Sequence, residues 1–422
     1  MNSPTAPLSP RLASATAKLR NRIPTQLRRT VLIYLLVVIG LLLLANIDIL
    51  PAITTSGDIY KRNRHSAGVS TEQNVGKFPR KLWQTWKIDP LSFAERDLTT
   101  ARSWTTKNPS YRYEVLTDSN DLTYIQQQYG AEGLNRLDLI ELYQSVNATI
   151  VKADLLRYLV MYAEGGIYAD IDVEALRPAS RFIPDRYDEK DIDMVIGVEI
   201  DQPQFQDHQV LGKKSQSFCQ WTFMAKPRLP VMLKLVEGIK EWLTAVARKQ
   251  NVPIDSVVLD FDDVISGTGP SAFTAALLAD MNARTSATGP SPITWANTFH
   301  DLYESKLVSR VLVLDVESFA AGQGHSDSGN HNARGALVKH HYHASNWPSR
   351  HPRYSHPVFG EVERCNWDVE CVRKWDDDVE TFNLLPLVEQ QRRIEEKERK
   401  EREDVQLLKL NMEIGTDAQQ GL

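Results

Sequence analysis

The chain has 422 residues with 49 basic and 54 acidic side chains, a net charge of −5, and is 42% hydrophobic and 24% charged. This usage excludes a wholly disordered or collagen-like polymer, and the lack of a basic surplus argues against a nucleic-acid partner. Three cysteines are too few for a disulfide scaffold and lack the spacing of a structural zinc site.

Residues 31–45 read VLIYLLVVIGLLLLA, and the apolar pattern continues less cleanly through Ile47, Ile49, Leu50 and Ile53. A spanning helix needs roughly 20 such residues. Arg11, Lys18, Arg20, Arg22, Arg28 and Arg29 precede the run, with no acidic residue before it. The asymmetry predicts a cytosolic N-terminus and a lumenal remainder. A cleaved signal peptide would end in a small-x-small site, which ANIDILPA matches poorly. The expected organisation is a cytosolic tail (1–30), a signal-anchor helix (31–53), a polar stem (54–76), a globular domain (77–383) and a charged tail (384–422) that is helical or disordered.

Within the globular part, strand and helix signals alternate. KLWQTW (81–86) and YRYEVL (111–116) predict strands, separated by a helix over TARSWTTKNP that Pro109 stops. A longer helix is predicted over 148–163, with Leu155, Leu156, Leu159, Val160 and Tyr162 as its apolar face, and Gly165 and Gly166 end it. IYADIDV, DMVIGVEI and QWTFMAK predict further strands, and PVMLKLVEGIKEWLTAVA a strong amphipathic helix. This alternation implies an α/β domain around a mainly parallel sheet. In the tail, residues 389–404 (EQQRRIEEKERKERED) pair Glu with Arg or Lys at helical spacing and lack an apolar seam, which reads as a solvated helix.

The segment KADLLRYLVMYAEGGIYADIDVEAL (152–176) carries the chemistry. Asp170 and Asp172 sit two apart in a strand or at its end, where i and i+2 side chains share a face and converge on one cation. Hard oxygen ligands suit Mn²⁺ or Mg²⁺, leaving coordination positions for phosphate oxygens. Asp154 and Arg157, at i and i+3, share one face of the preceding helix. Either motif alone is an ordinary surface feature; their combination around a glycine-bounded turn is specific.

These residues resemble the donor-binding core of glycosyltransferase family 32, the D-x-D sugar transferases that share this pattern with the large clostridial glucosylating toxins. The likeness runs over most of residues 77–350 and includes FPRKLWQTWK, NPSYRYEVLTD, FCQWTFMAKPRLP, SGTGPSAFT and HHYHASNW. In detail it is similar to the fungal initiation-specific α-1,6-mannosyltransferases of the Golgi. The resemblance implies a glycosyltransferase A-type nucleotide-sugar fold and makes 77–383 a catalytic domain. It implies that Trp86 stacks on the nucleotide base, that Asp154 and Arg157 hold the donor sugar, and that Asp170 lies near ribose, sugar and metal. Asp172 matches the direct metal ligand. The late His-rich segment corresponds to an element that closes over the diphosphate and adds a ligand from His341 or His343. Family members often read Gly-Ser-Trp there, whereas this chain reads Ala344, Ser345, Asn346, Trp347, which leaves the choice among His341, His343 and Ser345 open.

Other features are weaker. Gly267-Thr268-Gly269-Pro270 resembles a family loop beside the active site, or simply caps the next helix. Trp83 and Trp221 read as core, and Glu199 and Asp201 as candidates for acceptor contact. Cys365 and Cys371 lie six apart in a compartment that permits a disulfide, leaving Cys219 a buried thiol. Asn147-Ala148-Thr149 is a glycosylation sequon at a helix start. The expectation is a Golgi type II mannosyltransferase moving mannose from GDP-mannose to a mannose of an N-linked glycan, α-1,6-linked, retaining and Mn²⁺- or Mg²⁺-dependent. Arg157, Asp170 and Asp172 are its catalytic residues, and other Golgi transferases are candidate partners. The rival readings are an inositolphosphoceramide mannosyltransferase or other nucleotide-sugar transferase, and a non-catalytic scaffold subunit.

Overall fold

The computed structural model describes residues 76–285, 292–323, 326, 328–342 and 355–420, all within one unit, Ser70–Leu422. The expected signal anchor at 31–53, with its flanking tail and stem, lies outside the described residues. Among the described residues, no helix is long and apolar enough to cross a membrane.

The first half contains the expected strands and the long helix before Gly165. The helix before Pro109 starts earlier than expected, and two further helices, over 121–129 and 137–145, were not anticipated from the sequence. Strand β1 (Lys81–Trp86), helix α1 (Glu95–Lys107), strand β2 (Arg112–Thr117), helices α2 (Asp121–Tyr129) and α3 (Leu137–Ser145), and helix α4 (Thr149–Glu164) lead into strand β3 (Gly166–Ala169). Helix α4 stops because Gly165 and Gly166 take φ +62° and +108° and leave no room for a side chain. A Cβ would lie 2.6 Å from the Pro227 nitrogen at the first and 2.4 Å from the Lys81 carbonyl oxygen at the second. The segment expected as one strand, IYADIDV, is instead β3, a turn over Asp170–Asp172 closed by Val173 N–H donating to the Asp170 carbonyl (3.0 Å), and β4 (Val173–Ala175).

Strands β5 (Met194–Asp201), β6 (Gln216–Phe218), β7 (Thr222–Ala225), β8 (Lys306–Val308) and β9 (Val311–Leu314) complete the sheet, in the order β2-β1-β3-β7-β5-β9-β8 with β6 beside β5. The expected mainly parallel sheet is in fact mixed. β1 runs parallel to β2 and β3, and β5 to β9, but β7 runs antiparallel to both β3 and β5, and β8 to β9. The cause is the path after β5. Strands β6 and β7 form one return strand along β5, interrupted at 219–221, with no helical crossover of the kind parallel pairing needs.

Helices α5 (Pro230–Gln250), α6 (Phe261–Gly267) and α7 (Pro270–Thr285) lie on one side of the sheet with α4, and α8 (Val316–Ala320) lies on the other with α1. Alternation along β5 shows why two cores form. Met194, Ile196 and Val198 pack with Leu155, Met232 and Phe273, whereas Val195 packs with Trp104 and Phe319. Strand β10 (Val338–His340) then pairs antiparallel with β4, placing His340 opposite Val173. A third, small cluster joins Phe205, Val210 and Leu211 to Val362, Cys365 and Val372 at the foot of α9 (Val369–Asn383). Cys365 and Cys371 are disulfide-bonded there, and Cys219 is a buried free thiol. Helix α10 (Leu387–Gln420) carries the Glu–Arg and Glu–Lys pairs expected of the tail, such as Arg392–Glu396 and Lys397–Glu401.

Candidate functional site

The Asp170–Asp172 turn projects from the carboxyl end of β3, and three elements converge on it. The Asp170 N–H donates to the Trp221 carbonyl (2.8 Å), while Gln84 Nε2 from β1 donates to the Asp170 carbonyl (3.0 Å). The Asp170 side chain accepts from Tyr168 Oη (2.7 Å) and from Arg157 Nη2 (3.0 Å) and keeps 22% exposure. Asp172 is buried, and His340 Nε2 lies 3.3 Å from its Oδ1.

Arg157, buried on α4, joins the turn to a second carboxylate. Its Nη1 lies 3.3 Å from Asp154 Oδ1, and its guanidinium stacks 5.2 Å from the Tyr168 ring centre. Burial works against the Arg157 charge, but Asp170, Tyr168 and Asp154 more than offset it and keep the group protonated. Asp154 is held further by Thr268 Oγ1 (2.6 Å) and Gln220 Nε2 (3.4 Å). Burial outweighs these partners and pushes its carboxyl up to about 6. Burial also raises Asp170, with Arg157 opposing and Asp172 adding to the rise. The site is thus a buried charge relay of Thr268, Asp154, Arg157 and Asp170, ending at a carboxylate with one face open.

One ligand atom each from Asp170, Asp172 and His340 lie within 4.8 Å of one another. Two carboxylate oxygens and an imidazole nitrogen fit a divalent ion, and the nitrogen favours Mn²⁺ over the all-oxygen preference of Mg²⁺. A second such group, Asp201, His300 and Asp301, is already consumed by internal bonds. Asp201 accepts from Trp295 Nε1 (2.7 Å), His300 Nδ1 (3.0 Å) and the Asp301 N–H (2.8 Å).

Residues 94–189, which hold the relay from Asp154 to Asp172, match the family described as "Glycosyltransferase sugar-binding region containing DXD motif". That stretch is similar to the sugar-binding region of the D-x-D glycosyltransferases. The chain is 31% identical to the initiation-specific alpha-1,6-mannosyltransferase of Schizosaccharomyces pombe over 64% of its length and 63% of that protein. It is 30% identical to the enzyme of the same name from Candida albicans, over 58% of this chain and 65% of that one. The chain therefore spans under two thirds of the length of these curated relatives. Among solved structures, PaToxG glycosyltransferase aligns over 50% of this chain and 72% of its own at 16% identity, with a TM-score of 0.33.

Within this sugar-binding region the structure brings Asp154, Arg157, Asp170 and Asp172 together. Trp86 lies at the end of β1, parallel to and on the same strand-end side as Asp170, with Lys87 Nζ 5.1 Å from its ring centre. The histidine ligand expected from His341 or His343 is joined by a third candidate, His340. His341 Nε2 turns to Glu174 Oε2 (3.0 Å), and His340 is the residue beside Asp172; His343, like Ser345, lies outside the described residues. Successive side chains of a strand point to opposite faces, so only the His340 ring faces the turn, while His341 meets it through its backbone N–H, which donates to the Asp172 carbonyl (3.0 Å). Glu199 and Asp201 do not await an acceptor. Glu199 is buried and accepts from Trp221 Nε1 (2.8 Å) and Ser217 Oγ (3.2 Å), and Asp201 is locked as above.

Thr268 and Gln220 escaped the sequence reading as functional residues. The signals were the FCQWTFMAKPRLP motif, which holds Gln220, and the Gly267–Pro270 loop, whose geometry now has a reason. A Cβ at Gly267 would lie 2.3 Å from the Trp242 ring, so glycine lets the loop close and aim Thr268 at Asp154. Trp221 is core, as expected, but its ring also lies 4.6 Å from that of His340. Asn147 is exposed just before α4, and its Nδ2, the atom glycosylation would modify, donates to the Asp255 carbonyl (3.0 Å).

Proposed function

We propose that this chain is a retaining, metal-dependent mannosyltransferase of glycosyltransferase A-type fold. It transfers mannose from GDP-mannose to a mannose hydroxyl of an N-linked glycan, through an α-1,6 linkage, in the Golgi lumen. The observation that carries the reading is the Asp170–Asp172–His340 cluster, tied through Arg157 to the buried Asp154 inside a region matching the D-x-D sugar-binding family. The similarity to α-1,6-mannosyltransferases supports mannose as the transferred sugar and the α-1,6 linkage.

Asp170, Asp172 and His340 would hold a divalent cation, Mn²⁺ by donor set, which when bound would supply positive charge to the departing diphosphate. Arg157 fixes the Asp170 carboxylate and adds a permanent positive charge. Asp154, clamped by Thr268 and Gln220, presents oxygens that orient the donor sugar, and Trp86 offers its indole face to the base. A front-face route, in which the leaving phosphate takes the acceptor proton, agrees with how the carboxylates are used. Asp154 is bonded to Thr268 and Arg157, and Glu199 to Trp221 and Ser217, so neither is placed as a nucleophile.

The test is transfer by the full-length chain with Mn²⁺, screened across nucleotide sugars against a high-mannose glycan and inositolphosphoceramide. An α-1,6-mannosyl glycan with retained configuration is expected. Transfer only to the sphingolipid, an inverted product, or transfer unaffected by chelation would overturn the corresponding part.

A further inference from the structure

We propose that Glu199 is a positioning residue that acts through Trp221 to aim the His340 imidazole at Asp172; this rests on the cation site proposed above. Trp221 sits in the break between β6 and β7 and touches both arms of the cluster. Its carbonyl holds the Asp170 N–H (2.8 Å), and its ring lies 4.6 Å from the His340 ring. The indole is 4% exposed, and its Nε1 donates to Glu199 Oε1 at 2.8 Å. The other carboxyl oxygen of Glu199 accepts from Ser217 Oγ at 3.2 Å, so the anchor is fixed at both oxygens.

A glutamate in the middle of a sheet is costly unless its oxygens are used. Here both serve to fix one aromatic ring. Apart from the contact of its Nε2 with Asp172, His340 has no polar hold of its own among the described residues. Its Nδ1 is buried without a hydrogen-bond partner among the described residues, so packing sets the ring direction, mainly against Trp221 and Tyr342. A ligating histidine is normally oriented by a hydrogen bond from its second nitrogen. In this chain that orienting role passes to the flanking rings, Tyr342 at 3.8 Å and the tilted indole at 4.6 Å, and behind the indole to Glu199.

The test uses the full-length chain and Mn²⁺ alone. Binding is followed by electron paramagnetic resonance, and imidazole ligation by the ¹⁴N modulation of the bound ion's spin echo. Wild type should bind Mn²⁺ with a nitrogen signal that His340→Ala abolishes. Glu199→Ala should lose the signal and bind about tenfold or more weakly, as expected for loss of an outer-shell partner. Glu199→Gln should restore both, because its amide oxygen still accepts the indole N–H. Trp221→Phe keeps a ring but no N–H, and should match Glu199→Ala with no further loss in the double variant. It also carries the test if Glu199→Ala fails to fold. A nitrogen signal that survives in Glu199→Ala would overturn the proposal, as would Glu199→Gln behaving like Glu199→Ala. Wild type that binds Mn²⁺ without nitrogen coupling would overturn it while leaving the aspartates as ligands. Wild type that binds no Mn²⁺ would overturn the cation reading and this proposal together.

Discussion

Asp172→Asn separates the electrostatic cost of the aspartate pair from its use. Ligand atoms of Asp170 and Asp172 lie within 4.8 Å, so two unit charges there repel by about 3 kcal/mol at the effective dielectric of a partly buried site. Asparagine removes one charge and keeps an oxygen that can still accept from His340 Nε2. The metal-free variant should therefore melt at the wild-type temperature or a few degrees higher. In wild type, Mn²⁺ at a hundred times its dissociation constant should stabilise the fold by about 2.7 kcal/mol. The variant should show little of that gain, and its transfer rate should fall at least about a hundredfold, equivalent to about 2.7 kcal/mol of barrier. Asp170→Asn should lower transfer similarly, although it also removes a charge partner of the buried Arg157 and should melt lower. The double variant should cost transfer far less than the product, because both serve one ion. Thermal melting with and without Mn²⁺, and transfer rate, are measured on the same preparations. A variant that keeps both the Mn²⁺-induced shift and near-normal transfer would refute the assignment of Asp172 as a ligand.

Burial raises the Asp154 carboxyl from 3.8 to about 6. The folded state then holds this proton more tightly than the unfolded chain, and the associated stability is present below about pH 4 and lost as pH rises through 6. Asp154→Asn should accordingly gain stability relative to wild type between pH 4 and pH 7, on the order of 3 kcal/mol, measured by denaturant titration of metal-free protein. A constant difference between the two proteins would show that Asp154 is not raised. Thr268→Val removes the 2.6 Å bond to Asp154 and should cost about 1–3 kcal/mol in the same assay above pH 7; Thr268→Ser should recover most of it. Non-reducing peptide mapping should join Cys365 to Cys371 and leave Cys219 free, and replacing both bridged cysteines by serine should destabilise by roughly 2 kcal/mol for so short a loop. Protease added to sealed vesicles should remove only a short N-terminal tail; digestion of the globular domain would contradict the signal-anchor topology.

Much of the local architecture was legible in the sequence because helix and strand periodicities are short-range. The bounds of β1, β2 and α4 follow to within a residue from apolar spacing and the Gly165–Gly166 pair, whereas Pro109 marks only the end of α1; the D-x-D turn is visible beside its Asp–Arg helix. What the chain alone left open is decided by partners far away along it. Asp154 finds Thr268 114 residues on, and the His340 ring rather than the His341 ring meets Asp172 because β10 pairs with β4 in the register that sets His340 opposite Val173. The mixed sheet has the same origin, since the direction of β7 depends on its return along β5 and not on any pattern within TFMA. Periodicity tells a side chain which face of its own element it occupies. Only the pairing of elements determines what stands across from that face.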